Sequence, residues 1–296
     1  MFSPDAPWEK AAAHTQVFVL GANPFIDPIP QETLKADISD LERRHIAIAV
    51  ETGVMNVPGN PRPNCGGWGW VEGYGPVPLH KLVAEKIKKA GGVIKYIAMD
   101  EPLWYGHYFT RRTGSQPGCQ ETISNVAKLA APSLKEYIRV FPSVLVGDIE
   151  PANLADASSG RGRDPSWQRD LAEWATDFRK ETGRSLAFLQ IDVGWVQPDA
   201  VEHALQLYYY AQSLKHQGLI AAIGFIYNGN PTDMTDAAWT RSAREHIVLM
   251  QRKFGVHPDQ AVIQSWHIYP SHVMPESSPD TLASVVDFYT AQMGVK

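Results

Sequence analysis

The sequence contains only two cysteines, Cys65 and Cys119, among its 296 residues. Two cysteines are too few for a disulfide framework, and they are not spaced as a set of metal ligands. Both fall in loops that we expect to open on the same face of the fold. The sequence is therefore compatible with one disulfide between them or with two free thiols, and it does not determine the cellular compartment of the protein.

Long apolar runs and an excess of basic residues are also absent. No stretch approaches the roughly 20 consecutive apolar residues of a membrane span, and the first ten residues, MFSPDAPWEK, do not resemble a secretory signal. The 27 Lys and Arg residues face 32 Asp and Glu residues, which gives a net charge of −5. This balance provides no general attraction for phosphate backbones or anionic lipids, so we expect neither a nucleic-acid partner nor a membrane partner.

The phosphate-binding loops of nucleotide enzymes are missing as well. No G-x-G-x-x-G opens a helix after the first strand, and no G-x-x-x-x-G-K-[ST] occurs. What the sequence has instead is a repeated unit of an apolar run, a polar loop and an amphipathic helix. The apolar runs, typical of parallel strands buried on both faces, are residues 17–20, 45–51, 94–101, 143–150, 185–192, 219–228 and 261–268.

Repeated strand–helix units predict a parallel sheet, and seven of them favour a (β/α)8 barrel over an open sheet. We therefore predict an α/β fold with one catalytic (β/α)8 TIM-barrel domain over residues 1–296. Because seven strands are counted rather than eight, we expect the first strand to lie upstream of Met1. A secreted or cell-surface location is favoured if a signal preceded that strand.

Acids and amides stand at the ends of nearly all these predicted strands, where barrel enzymes place their reactive groups. Acids that directly follow apolar strands should be partly desolvated, and several converging carboxylates should repel one another, which raises pKa values. The residues at strand ends are Glu51, Asp100, Glu101, Asp148, Glu150, Asp192, Asn228, Trp266 and His267. Alternation places Asp148 and Glu150 on one face of their strand.

Two predicted loops add aromatic side chains to the same rim. The loop over residues 56–78 carries Trp68 and Trp70, and the segment after Pro102 carries Trp104, Tyr105 and His107. Flat aromatic rings beside carboxylates suit the apolar faces and hydroxyl groups of sugars. The Tyr208-Tyr209-Tyr210 run lies on a predicted helix, where packing and surface exposure explain it best.

Asp100-Glu101-Pro102 resembles the Asn-Glu-Pro that ends the fourth strand in a large clan of (β/α)8 glycoside hydrolases. That resemblance implies that Glu101 is the proton donor and that Trp266 is the aromatic residue after the last strand. The clan's nucleophile, a Glu at the end of strand seven, has no counterpart, because this strand ends Ile226-Tyr227-Asn228. Glu150 or Asp192 is therefore the candidate partner carboxylate.

The resulting prediction is a glycoside hydrolase that cleaves an oligo- or polysaccharide with two carboxylates and without a cofactor. Asp100 and Asp148 tune the pair, Glu51, His107, Asn228 and His267 contact hydroxyls, and Trp68, Trp70, Trp104, Tyr105 and Trp266 stack on sugar rings. One alternative is a metal-dependent sugar isomerase or epimerase with ligands among Glu51, Glu101, His107, Glu150, Asp192 and His267. Another is a carbohydrate-binding barrel without catalysis.

Overall fold

A computed structural model describes residues 1–22, 29–56, 72–110, 118–159 and 166–293 of the chain. Seven parallel strands form one sheet in which each strand pairs with the next along the sequence. They are β1 Val17–Gly21, β2 Ala47–Thr52, β3 Ile94–Asp100, β4 Leu145–Pro151, β5 Leu189–Asp192, β6 Ile223–Tyr227 and β7 Gln260–Ile263. The α/β class, the number of strands in the described residues and their parallel order confirm the prediction.

Helices lie before, between and after these strands. They are α1 Glu9–His14, α2 Gln31–Arg43, α3 Val77–Lys89, α4 Ile123–Val140, α5 Ser166–Thr182, α6 Ala200–His216, α7 Asp236–Val248 and α8 Leu282–Met293. Gly91 and Gly183 follow α3 and α5 with φ values of 89° and 72°, the left-handed conformation that commonly ends a helix. Within the described ranges, no helix is both long enough and apolar enough to cross a membrane.

Three strands are at most half as long as the apolar runs that predicted them. β5 begins at Leu189 rather than residue 185, β6 begins at Ile223 rather than residue 219, and β7 ends at Ile263 rather than residue 268. Leu186 and Ile220 form only an isolated bridge ahead of β5 and β6. Apolar residues next to a strand can be buried without joining its hydrogen-bond ladder, and the sequence pattern does not distinguish the two cases.

The sheet separates two apolar regions of unequal size. The larger lies between the strands and the surrounding helices, and it includes Ile97, Met99, Leu189, Ile191 and Phe225. The smaller lies on the opposite face, which the curled sheet encloses, and its buried members are Ala98, Ile149, Phe188 and Ile226. Successive residues of each strand therefore alternate between the helix side and the interior.

The ends of the sheet are joined by helix packing. Within the described residues, no strand pairing links β1 to β7, and α1 packs against α8 there. The side chain of Glu276 accepts hydrogen bonds from the backbone N–H groups of Lys10 and Ala11, at 3.1 and 2.7 Å. This carboxylate satisfies free donors in the first turn of α1 and fixes the helix at the seam.

Candidate active site

Three inward-facing carboxyl groups end β2, β3 and β5. Asp100 lies two residues after Ala98, and Ala98 is in the interior cluster, so the alternation directs Asp100 inward. Asp192 follows Phe188 and Gln190 on the inward face of β5 in the same way. Glu51 alternates with Ile48 and Val50, which belong to the helix-side core. The carboxyl ends of parallel strands meet at one edge, so the three acids face a common space.

Within the described residues, the charges that act on these acids are other carboxylates. Burial, and then the charge of Glu72, raises the pKa of Glu51. Burial and repulsion from Glu51, Glu72 and Asp192 hold the pKa of Asp100 well above its usual range. Burial and the charges of Glu51 and Glu72 raise the pKa of Asp192 to about 7. At neutral pH the cluster therefore holds protons that exposed acids would release.

Glu101 leaves the end of β3 with an unusual backbone conformation. Its φ is 47°, a left-handed value that costs a residue other than glycine about 1–2 kcal/mol. Its backbone N–H donates to the carbonyl oxygen of Ile149 at 3.1 Å, and its own carbonyl accepts from the N–H of Tyr105 at 3.0 Å. Only 8% of the residue is exposed. Burial and the carboxylates of Asp192 and Asp100, in that order, hold the pKa of Glu101 well above its usual range.

Glu150 faces the helix side of β4 and holds the segment that follows Glu101. Its two carboxylate oxygens accept hydrogen bonds from the backbone N–H groups of Leu103 and Trp104, at 2.7 and 3.0 Å. The side chain is fully buried, and burial, followed by the nearby charge of Asp148, raises its pKa. Because both oxygens accept backbone hydrogen bonds, Glu150 fixes the residues that follow Glu101 from the helix side of the sheet.

Asp148 is also fully buried on the helix side of β4. Its Oδ2 accepts a hydrogen bond of 2.7 Å from Nε1 of Trp174 in α5, whereas its Oδ1 has no hydrogen-bond partner. Burial holds the pKa of Asp148 well above its usual range. The shared face of Asp148 and Glu150 agrees with the sequence pattern, and that face is the one directed at the helices.

Protonated buried acids make stability depend on pH, and Asp148→Asn tests this. A carboxyl group whose pKa is raised by folding makes its whole contribution to the unfolding free energy below the pKa of the unfolded chain. That contribution is lost as pH rises through the folded pKa, because the unfolded chain releases the proton more readily. We expect the melting temperature of the wild type to fall from pH 5 to pH 9. The unfolding free energy of Asp148→Asn should fall less steeply with pH, and the two slopes should differ by up to about 1.4 kcal/mol per pH unit.

Thermal melts at intervals of one pH unit measure this effect. Asp5→Asn, at an exposed position near the N-terminus, is the control and should follow the wild type. Equal slopes for Asp148→Asn and the wild type would show that Asp148 is ionised in the folded protein.

A short aromatic segment forms the rim beside Glu101. A π-helical turn, Trp104–Tyr108, follows Pro102 and Leu103, and Trp104 stacks on Tyr108 with ring centroids 6.2 Å apart. The hydroxyl of Tyr108 donates to Asp170 Oδ2 at 2.5 Å, and His107 Nδ1 lies 2.6 Å from the carbonyl oxygen of Glu121. Tyr105 is buried, and Trp104 and His107 are half-buried. The turn thus has its predicted aromatic residues tied to neighbouring elements.

Glu72 is a member of the site that sequence reasoning missed. It accepts a hydrogen bond from the hydroxyl of Tyr105, and its charge acts on Glu51, Asp100, Asp192 and Glu101. It stands in a Gly- and aromatic-rich loop rather than at a strand end, so the strand-end rule overlooks it. The acid within Trp70-Val71-Glu72-Gly73-Tyr74 was the available signal.

A polar layer crosses the interior on β5, β6 and β7. Gln190 donates to Gln260 Oε1 at 2.9 Å, between inward positions of β5 and β7. Asn228 follows inward-facing Ile226 and is almost completely buried, and its Oδ1 has no hydrogen-bond partner. Its carbonyl oxygen lies 2.8 Å from Nδ1 of His246, whose ring stacks on Trp195 at 3.9 Å. Trp195 and His246 were not predicted, because neither ends a strand.

Two other pairs of predicted site residues are not placed among the inward-facing acids. Trp266 and His267 follow β7 and are exposed, with Trp266 49% accessible. Trp68 and Trp70 lie outside the described residues.

Cys119 is in a disulfide. The only other cysteine of the chain is Cys65, which lies outside the described residues. Among described side chains, no group of three or more His, Cys, Asp or Glu is arranged to hold a metal ion.

Comparison with solved structures shows the fold. A fungal β-1,4-galactanase superposes with a TM-score of 0.56 at 7% identity, over 95% of this chain and 89% of the other. Virulence factor SghA from Agrobacterium tumefaciens gives 0.50 at 13% identity, over 95% and 86% of the two chains. A second SghA structure, in complex with its substrate analog salicin, also gives 0.50, at 11% identity over 96% and 84%.

No family model and no curated protein matches the sequence. The likeness to the galactanase nevertheless confirms the predicted resemblance to the (β/α)8 glycoside hydrolases at the level of the fold. At these identities the likeness is one of architecture, and chemistry has to be argued from the residues of the site.

Proposed function

We propose that the protein is a glycoside hydrolase that cleaves O-glycosidic bonds with Glu101 and Asp192. The observation that carries this proposal is the inward convergence of Glu51, Asp100 and Asp192 beside buried Glu101, with carboxylates as the charges that raise their pKa values. Glycoside hydrolysis needs two carboxyl groups of different protonation state. The fold shared with a β-1,4-galactanase supports the same class.

The two carboxyl groups take different roles because their surroundings differ. The pKa of Glu101 is raised by several carboxylates around a buried side chain, so Glu101 keeps its proton and donates it to the leaving oxygen. The pKa of Asp192 is raised to about 7, so the ionised form is well populated at and above neutral pH. Ionised Asp192 then acts as the base or nucleophile.

Asp192 is preferred to Glu150 as the partner because of where the two side chains point. Glu150 accepts two backbone hydrogen bonds on the helix side of β4, whereas Asp192 faces the interior and its Oδ1 has no partner. Asp192 is also the charge that raises the pKa of Glu101 most strongly. In this proposal the inward-facing Asp192 is the partner carboxylate, and Glu150 supports the donor instead.

The remaining predicted residues complete a carbohydrate site in this proposal. Half-buried Trp104 on the rim and exposed Trp266 are the stacking residues in this proposal, and Trp68 and Trp70 keep that role as a prediction from the sequence. Buried Tyr105 supports Glu72 instead of stacking on sugar. Glu51, His107, Asn228 and His267 are the hydroxyl contacts, and the buried Oδ1 of Asn228 has no hydrogen-bond partner within the protein. The disulfide at Cys119 supports a secreted or cell-surface location, because disulfides persist mainly in oxidising compartments.

The proposal is tested by a reducing-sugar assay on galactan, xylan, mannan and aryl glycosides, with and without EDTA. We expect new reducing ends from at least one substrate, at a rate that EDTA leaves unchanged. Glu101→Gln, purified in parallel, controls for contaminating glycosidases. Isomerisation that EDTA abolishes would favour the metal-dependent alternative, and binding without cleavage would favour a carbohydrate-binding barrel.

A further inference from the structure

A cavity lies between helices on the outer wall of the barrel, and none of the inward-facing acids lines it. It has a volume of about 650 Å³, within the range of roughly 300–1,000 Å³ typical of small-molecule sites. Its walls come from α5, α6 and the 3-10 helix Ala152–Ser159 that follows β4. The residues that line it include Asp156, Trp167, Asp199, Glu202, Gln206 and Tyr209.

Aromatic rings form the apolar part of this outer cavity. Buried Trp167 packs edge-to-face against Tyr210 at 5.3 Å, and the hydroxyl of Tyr210 donates to the carbonyl oxygen of Gln168 at 2.7 Å. Tyr209, by contrast, is 60% exposed. The first two rings are therefore fixed, and Tyr209 presents open aromatic surface beside them.

The run of three tyrosines on α6 is thus only partly explained by packing. Tyr208 is buried and its hydroxyl donates to the carbonyl oxygen of His257 at 3.1 Å, as a packing role predicts. Tyr209 lies in register with Glu202, Gln206 and Ser213 at helical spacing, so α6 directs one polar stripe with a central ring into the cavity.

The polar groups of the outer cavity are acceptors and amides rather than cations. Asp156, Asp199 and Glu202 supply carboxylates, and Gln206 donates to Glu202 Oε1 at 3.0 Å. His203 Nε2 lies 3.9 Å from Asp156 Oδ1 and links α6 to the 3-10 helix. Among the described residues that line the cavity, none is Lys or Arg. The cavity therefore suits a neutral ligand that has hydroxyl donors and an apolar face, and it disfavours anions.

We propose that this outer cavity is a second carbohydrate-binding site, in which a sugar ring stacks on Tyr209 while Asp156, Asp199 and Glu202 accept hydrogen bonds from its hydroxyls. The proposal rests on the proposed function for its ligand class. Such a site holds a polysaccharide against the outer wall of the barrel while another part of the chain occupies the inward-facing acids, so it adds avidity for long substrates.

Affinity electrophoresis through gels that contain galactan, xylan or mannan tests the outer site. The parent protein is the Glu101→Gln variant, which we expect to bind polysaccharide without cleaving it. The test variant carries Tyr209→Ala in addition. We expect the apparent affinity for the retarding polysaccharide to fall about five- to tenfold, as for the loss of one stacking ring. Tyr209→Phe keeps the ring and should bind as the parent does. Leu82→Ala, at a 44% exposed position on α3, is the control and should have no effect.

Two outcomes overturn the outer site: a parent that no polysaccharide retards, and a Tyr209→Ala variant retarded as strongly as the parent. Hydrolysis by the otherwise wild-type chain is measured in parallel. Cleavage with either of these outcomes removes the outer site and leaves the proposed function intact. Retardation that depends on Tyr209 without any cleavage supports the site and contradicts the hydrolase.

Discussion

Glu101→Gln is expected to lower kcat for natural glycosides by about 10²- to 10⁴-fold, the loss typical of removing a general acid. The variant keeps the size of the side chain and its hydrogen-bonding capacity but supplies no proton to the leaving oxygen. Burial and the carboxylates of Asp192 and Asp100 raise the pKa of Glu101, so a neutral amide suits the same surroundings. Folding should therefore survive the change, as circular dichroism and the melting temperature will show.

The choice of leaving group makes this test specific for proton donation. A dinitrophenyl glycoside has a leaving group that departs without protonation, so Glu101→Gln should be impaired far less on it than on a natural disaccharide. The alkaline limb of the pH–rate profile, which reports deprotonation of the acid, should also disappear in the variant. Equal losses on both substrates would mean that Glu101 is not the proton donor.

Asp192→Asn is expected to abolish activity on both types of substrate, with losses of at least about 10²- to 10⁴-fold. A base or nucleophile is needed whichever group leaves, so an activated leaving group cannot compensate. For the wild type, the pKa of about 7 at Asp192 places the acidic limb of the profile near neutral pH. Below that pH the rate should fall about tenfold per unit, because the required carboxylate becomes protonated.

Glu150→Gln provides the matched comparison for Asp192→Asn. In Glu150 each carboxylate oxygen accepts a backbone N–H, so an amide group there leaves one buried donor without an acceptor. We expect a loss of about 1–3 kcal/mol in unfolding free energy and a lower melting temperature. The result that would reverse the assignment is an inactive Glu150→Gln with an unchanged melting temperature, together with an active Asp192→Asn.

Much of the fold could be predicted because its signals are local. Near-continuous apolar runs alternate with amphipathic helices, and that pattern is typical of parallel strands buried on both faces. The same pattern locates the strand ends, and with them Glu51, Asp100, Glu101 and Asp192. Helix ends at Gly91 and Gly183 follow from the one residue that adopts a positive φ without strain.

The site itself was only partly predictable, and β4 shows why. Alternation by itself establishes that Asp148 and Glu150 share a face, and it establishes nothing about which face. In a strand that is apolar on both sides, hydrophobicity does not separate the barrel interior from the helix side. The contacts with Trp174, Leu103 and Trp104 decide it, and those partners lie on other elements.

Sequence by itself determined the order of strands and helices, the acids at the strand ends and the aromatic character of the rim. Only the tertiary structure decided which acids share the interior, brought Glu72 from a distant loop into the cluster, and formed the outer cavity at Tyr209 between α5 and α6. The physical reason is one of range. The periodicity of strands and helices depends on residues close together in the sequence. Electrostatic repulsion and cavity shape depend on residues that only folding brings together.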